Sequence, residues 1–401
     1  MTTIDAPTRS GSGTYPTPVR PDDDRFVGLA ADIGAIAAEH APDHDRDATF
    51  VSEAYAAMRA TGYLGLAVPT ELGGLGATMR QIAYAQAEFA RHDGATALAA
   101  AMHQYLTATQ AFRYRAGAPD AEGVLRRVAD EGIVIATSGG SDWLWPTTTA
   151  FVDEDGNLHV SGRKTFCSQS PEATAVATSA VLGEPVEGAE VVHFSVPLAA
   201  EGVSVVETWD TLGMRGTASH DLVLDDVVVP MDKVAGRRPY GELGAPLTAA
   251  GLHFAPIGAA TYFGIAAGAR DAAVAAVATG SRGPRPLADL PRVHRQVGLM
   301  DAELRGAWWA LLGSIDEIGD DYGATADVLA TVMLAKRQVV TASIEVVNLA
   351  MDVLGGRAYF RRSPLERAYR DVRAGTFHPL PPEATLAYVG KIALGDPGTT
   401  E

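Results

Sequence analysis

The chain has 401 residues, of which 47% are hydrophobic and 20% charged, and it carries 49 acidic against 32 basic side chains for a formal net charge of −17. That size and balance suit a globular protein with a large core in two or three domains. An acidic chain without a Lys/Arg block argues against nucleic acid and anionic membranes as partners, and no uninterrupted apolar run reaches the length of a membrane span.

In chain order, residues 1–21 are polar and rich in Pro, Ser and Thr, with no apolar signal core, and read as a disordered tail on a cytoplasmic protein. Residues 22–132 read as a helical domain. RFVGLAADIGAIAAEHA has apolar residues at helical spacing, with Pro42 expected to interrupt the helix. FVSEAYAAMRATGYLGLAVP reads as a helix stopping at Gly62 and Pro69, and MRQIAYAQAEFARHDG and ATALAAAMHQYLTATQAFRYRAG as two more ended by Gly. Residues 133–236 change to short alternating runs such as GIVIATS, EVVHFSVPL and HDLVLDDVVVP, the pattern of an antiparallel β domain. Residues 237–401 return to long helices of roughly 25–35 residues with short links, which suggest a bundle. The predicted class is α+β.

Cysteine chemistry and metals are set aside first. The lone Cys167 precludes an internal disulfide and a Cys-based metal site. The Glu39-His40 and His44-Asp45 pairs have ligand-like spacing but read as solvated helix ends, so no metal is expected. No Gly-x-Gly-x-x-Gly stands between a strand and a helix, and there is no Walker loop.

Four stretches carry more. VPTELGGLG (68–76) is a Pro/Gly-rich connector. ATSGGSDWLWPTTTAF (136–151) is a small-residue loop leaving a strand, offering the hydroxyls of Thr137, Ser138 and Ser141 and free backbone N–H groups. In GRKTFCSQSPEA (162–173), strand alternation sets Phe166 and Ser168 on one face and Cys167 on the other. An aromatic beside a hydroxyl suits a flat heteroaromatic ligand; a half-buried strand explains the same pattern. In DVLGGRAYFRRSPLERAYRDVR (352–373), Gly355-Gly356 ends a long helix, either as a plain cap or as a place where backbone approaches a ligand.

Together and in this order these stretches, with WDTLGMRGTASHDLVLDDVVVP, resemble the acyl-CoA dehydrogenase superfamily over about residues 22–395. The resemblance implies a helical N-terminal domain, a central β barrel-like domain and a C-terminal four-helix bundle, assembled as a homotetramer. It implies a flavin, usually FAD, lined by Thr137, Ser138, Phe166 and Ser168, with Gly355 and Gly356 contacting a neighbouring subunit's flavin. Arg215 is expected to be structural. Ser141, Tyr105 and Trp143 are the candidate substrate contacts.

The sequence departs from the family's dehydrogenases where their catalytic glutamate belongs. After Arg370-Asp371 the chain reads TFHPL, and the first bundle helix, where a minority place the acid, reads AGLHFAPIGAATYFG. Loss of a base costs typically 10²–10⁴-fold, so two missing acids point to other chemistry. The reduced-flavin-dependent, two-component monooxygenases of the same superfamily carry a histidine in a context similar to Thr376-Phe377-His378-Pro379, and often a second on an earlier helix, where this chain has His103. His378, His103 and His253 are therefore the candidate acid/base residues. Under this reading reduced FMN or FAD arrives as a diffusible cosubstrate from a separate reductase, and a small organic molecule is oxygenated. The alternative is FAD-dependent dehydrogenation of an acyl thioester with a non-standard base and an electron acceptor, or, less favoured, a non-catalytic flavoprotein.

Overall fold

The structure, a computed structural model, describes residues 17–319 and 322–395, so most of the expected tail over residues 1–21 lies outside the described residues. Five helices come first: α1 (Val27–Asp47), α2 (Ser52–Thr61), α3 (Met79–His92), α4 (Gly94–Arg115) and α5 (Ala121–Glu131). Their starts and stops follow side-chain chemistry. Thr78 and Gln81 form a reciprocal capping box at α3, Asp93 accepts from the Thr96 N–H at α4, and Gly62 closes α2 in the left-handed region. Pro42 does not interrupt α1. The helix runs through it to Asp47, so one lost backbone hydrogen bond does not outweigh packing of the flanking turns, in which Ala37 and Ala41 are buried.

The middle of the chain is a mixed sheet of eight strands: β1 (Ile135–Thr137), β2 (Thr149–Val152), β3 (Asn157–Cys167), β4 (Ala175–Leu182), β5 (Glu190–Pro197), β6 (Val203–Val206), β7 (His220–Pro230) and β8 (Gly236–Pro239). The order is β6-β7-β3-β2-β4-β5-β8, with β1 beside β4. Most pairings are antiparallel, as expected, but β1–β4 and β2–β4 are parallel. β1 pairs with the start of β4 and β2 with its end. They are two pieces of one row, and residues 138–148 bulge out between them. Leu158, Val160, Val192, Phe194, Leu222 and Leu224 build this domain's own core.

The C-terminal part has three long helices, α6 (Gly244–Thr279), α7 (Pro291–Ile318) and α8 (Ala326–Leu354), and two short ones, α9 (Pro364–Asp371) and α10 (Pro382–Ala393). By length and apolarity alone the α8 segment would pass for a membrane span, yet its Val339, Val340, Val346 and Val347 belong to the main core. The two helical regions that look separate in the sequence share that core: Tyr84, Phe89 and Leu98 pack with Tyr262, Phe263, Trp308 and Leu311.

Candidate active site

A cavity of about 430 Å³ lies where the three parts meet. Leu98, Met102 and Tyr105 of α4 form one wall, and Thr137–Gly140 of the bulge and the end of β3 another. The 209–219 loop, Phe254 of α6 and residues 373–379 close the remainder.

The end of β3 is where alternation ceases to hold. Phe166 adopts φ +56, a conformation disfavoured for an aromatic residue, and the β3–β7 register shifts between Lys164 and Cys167. This kink, rather than the pleat, leaves the Phe166 ring 51% exposed toward the cavity while Cys167 is fully buried. Gly140, at φ +66, sits beneath that ring; a Cβ there would come within 3.1 Å of it.

Beside Phe166 runs a chain of hydroxyls. Ser168 Oγ lies 2.8 Å from Ser219 Oγ, which lies 2.7 Å from Thr217 Oγ1, which donates to the Met214 carbonyl at 2.9 Å. Each hydroxyl has one proton, so the direction is fixed: Ser168 donates to Ser219 and Ser219 to Thr217, and Ser168 keeps its lone pairs for the cavity. On the other side, Ser138 donates to Asp142 at 2.6 Å, and Asp142 receives the Lys164 ammonium at 3.1 Å. Lys164 is fully buried; its pKa is lowered by burial, opposed by Asp142. This buried pair anchors the bulge to β3.

The 209–219 loop is held from behind. The Met214 N–H donates to Asp371 Oδ1 at 2.6 Å, and Arg370 donates to the Leu212 carbonyl at 3.0 Å while gripping Asp45. A Cβ on Gly213 would lie 2.5 Å from the Arg370 backbone, so only glycine permits this approach. Burial, reinforced by Asp93, raises the Asp371 carboxyl to about 7. Arg215 bonds the Asp45 carbonyl and Asp210 and lies off the cavity.

His378 is on the cavity wall. Its Nδ1 lies 3.2 Å from the Tyr262 hydroxyl, and its ring is edge-on to Phe254 with centroids 5.7 Å apart. Burial, helped by the nearby Lys336, pushes its pKa down to about 3, so the ring is neutral at physiological pH. Lys336, itself buried on α8 and lowered to about 7 by that burial, donates to the carbonyls of His378 and Leu380, each at 3.0 Å.

The other two histidines are elsewhere. His103 is fully buried in α4: Nε2 meets the Leu64 carbonyl at 2.9 Å and Nδ1 accepts from the Ile135 N–H at 3.1 Å. With both nitrogens spent on backbone it ties α4 to β1 and the 63–65 turn, and its assignment as an acid/base residue is withdrawn. His253 is likewise off this cavity, bonded to the Ala249 carbonyl at 2.7 Å, Thr109 at 3.2 Å and Tyr322 at 2.6 Å, and its assignment is withdrawn too. Burial lowers both to about 4.

Of the remaining candidates, Thr137, Ser138, Phe166, Ser168, Tyr105 and Trp143 come together on the wall. Ser141 does not. It is exposed on the outside of the bulge, where its carbonyl accepts from the N–H groups of Leu144 and Trp145. Gly355 and Gly356 are exposed at the end of α8, outside this protomer's cavity. Sequence reasoning missed Tyr262, Lys336 and the Thr217–Ser219 hydroxyls. Lys336 had a signal, as a lysine in the apolar run VLATVMLAK; Tyr262 had none.

Comparison with known proteins identifies the family and the fold. The chain matches the acyl-CoA dehydrogenase N-terminal domain over residues 33–120, the middle domain over 136–227 and the C-terminal domain over 257–380. It is 34% identical over 372 residues to the amino sugar nitrososynthase DnmZ of Streptomyces peucetius, covering 88% of this chain and 89% of that protein. It is 31% identical over 376 residues to the "Putative acyl-CoA dehydrogenase YdbM" of Bacillus subtilis (strain 168), covering 88% and 93%. A solved structure of KijD3 in complex with FMN and dTDP-3-amino-2,3,6-trideoxy-4-keto-3-methyl-D-glucose superimposes with a TM-score of 0.82 at 28% identity, covering 96% of this chain and 97% of that one.

Proposed function

This chain belongs to the acyl-CoA dehydrogenase family of flavin-dependent oxidoreductases, and on that premise we propose that it is a reduced-flavin-dependent monooxygenase of a small organic substrate. One observation carries the choice of reaction: among the described residues on the cavity wall none is a carboxylate, and the neutral imidazole of His378 stands there instead. Removal of an α-proton from a thioester needs a base of adequate strength in reach, and an imidazole held near pKa 3 is a poor one.

The wall suits a flavin. Phe166 offers an open aromatic face, Trp209 stands at its edge 6.0 Å away, and Ser168 presents acceptor lone pairs beside it. When bound, the reduced flavin supplies two electrons to O₂, so that one oxygen atom enters the substrate and the other leaves as water. The chain's own residues do the rest. Phe166 packs on the ring. Leu98, Met102 and Phe254 keep water from the reacting face, and Tyr105 closes the wall against Phe254. His378 offers its ring nitrogen away from Tyr262 to the ligand as a hydrogen-bonding group.

An amine-bearing sugar nucleotide is the first substrate class to test, because DnmZ is named as an amino sugar nitrososynthase and KijD3 was solved with such a ligand. We further propose a homotetramer in which Gly355 and Gly356 reach a neighbour's flavin, and a separate reductase as electron source.

The test is rapid mixing of the protein with reduced FMN or FAD and oxygenated buffer, followed by absorbance. A flavin spectrum that persists between the reduced and oxidised forms, and is consumed when substrate is added, supports oxygenation. Immediate reoxidation, together with bleaching of bound oxidised flavin by acyl thioesters, returns the chain to the dehydrogenases.

A further inference from the structure

Among the described residues the ring of His378 has one nitrogen engaged and one free, and which of them carries the proton decides what it can do. The engaged one is Nδ1. Its partner is the hydroxyl of Tyr262, a residue buried in α6, and among the described residues this is the only hydrogen bond that hydroxyl makes. A phenol has one proton to give. If it accepted from an Nδ1–H, its own proton would be left unpaired in the core, at about 1–3 kcal/mol. Donating to Nδ1 leaves nothing unsatisfied, and a neutral ring must then carry its hydrogen on Nε2. The backbone beneath the ring is fixed as well. Lys336 bonds the carbonyls of His378 and Leu380, and among the described residues no carboxylate pairs with it. A buried amine without a counter-ion is a costly feature that ordinary loop packing does not need.

Resting on the reading of His378 as the residue that meets the ligand, we propose that Tyr262 and Lys336 are positioning residues that hold His378 as the neutral Nε2–H tautomer, so that it presents a hydrogen-bond donor, not a base, to the ligand atom facing it. Two further observations agree. Burial keeps the Tyr262 phenol protonated, as a donor must be. The cation of Lys336 disfavours a second proton on the ring. Lys336 can satisfy both carbonyls as either ammonium or amine, so the clamp does not depend on its charge. Nε2 acts by hydrogen-bond donation, so the ring and the Tyr262 phenol both stay neutral.

The experiment is nitrogen NMR of the full chain labelled with ¹⁵N-histidine, with and without FMN, in which His378→Gln identifies the resonance among the ten histidines. The expected result is a proton on Nε2 and a bare Nδ1 from about pH 6 to 8. In Tyr262→Phe the bias is lost and both tautomers appear, while turnover falls about 10- to 100-fold and FMN affinity stays within about twofold. Lys336→Met shifts the same resonance and raises the pH at which the ring protonates. If that variant does not fold, Lys336→Arg, which retains donors, is expected to keep the Nε2–H form. A wild-type ring protonated on Nδ1, or a Tyr262→Phe spectrum like the wild type, overturns the assignment. Full turnover in His378→Ala would instead end the reading of His378 as the residue that meets the ligand while leaving the tautomer result intact, so the two failures are distinguishable.

Discussion

His103 and His378 lie near the same cavity, both buried enough to stay neutral, but they differ in what their second nitrogen does. In the α4–β1 seam, His103 meets a backbone carbonyl on one side and a backbone N–H on the other, and nothing remains for a ligand. In the 373–379 segment, His378 meets a phenol on one side and the cavity on the other. Charge state and residue type are the same, although His103 is fully buried and His378 is half-buried on the cavity wall. The count of uncommitted ring nitrogens is the ground on which we propose His378 rather than His103 for the chemistry, and His253, with three partners, falls with His103.

The sharpest way to break this comparison is to exchange the phenotypes. His378→Ala should lower turnover by about 10²–10⁴-fold, with little change in denaturation midpoint. His103→Ala should do the reverse, costing about 2–4 kcal/mol in denaturant unfolding through two lost bonds and a cavity, with turnover per folded molecule within a few-fold. Loss of turnover in a stable, flavin-binding His103→Ala protein would put that histidine back into the chemistry.

Acid titration comes next. His103 and His253 have folded pKa values near 4, below the ordinary 6.5 of an unfolded histidine. The unfolded chain therefore binds more protons below pH 6.5, and stability present above that pH is lost as pH falls toward 4, by up to about 3 kcal/mol per group. Asp371, raised to about 7, acts in the opposite sense: stability present below its unfolded pKa is lost as pH rises through 7. Unfolding free energies across this range should show a smaller acid slope in His103→Gln and a smaller neutral-side loss in Asp371→Asn.

Phe166→Ala should weaken flavin binding about tenfold, read by fluorescence titration, through loss of one aromatic face. Ser141→Ala, on the exposed outside of the bulge, should leave flavin binding and turnover within about twofold; a larger loss would mean that a neighbouring subunit brings that face into a site.

The sequence by itself determined the order of helical, β and helical parts, because hydrophobic periodicity and glycine stops are local signals that survive into the fold. It also marked Phe166, Ser168 and the histidine of TFHPL as candidates, through motif resemblance. It gave no structural basis for ranking the three histidines, since each was a His on or beside an apolar helix or loop. That ranking depends on partners 32 to 144 positions away: Ile135 for His103, Tyr262 for His378, Thr109 for His253. The kink at Phe166 and the run of α1 through Pro42 were likewise tertiary decisions. In both, burial of surrounding apolar surface overrode a local backbone preference, which one residue's propensity of a few kcal/mol cannot prevent.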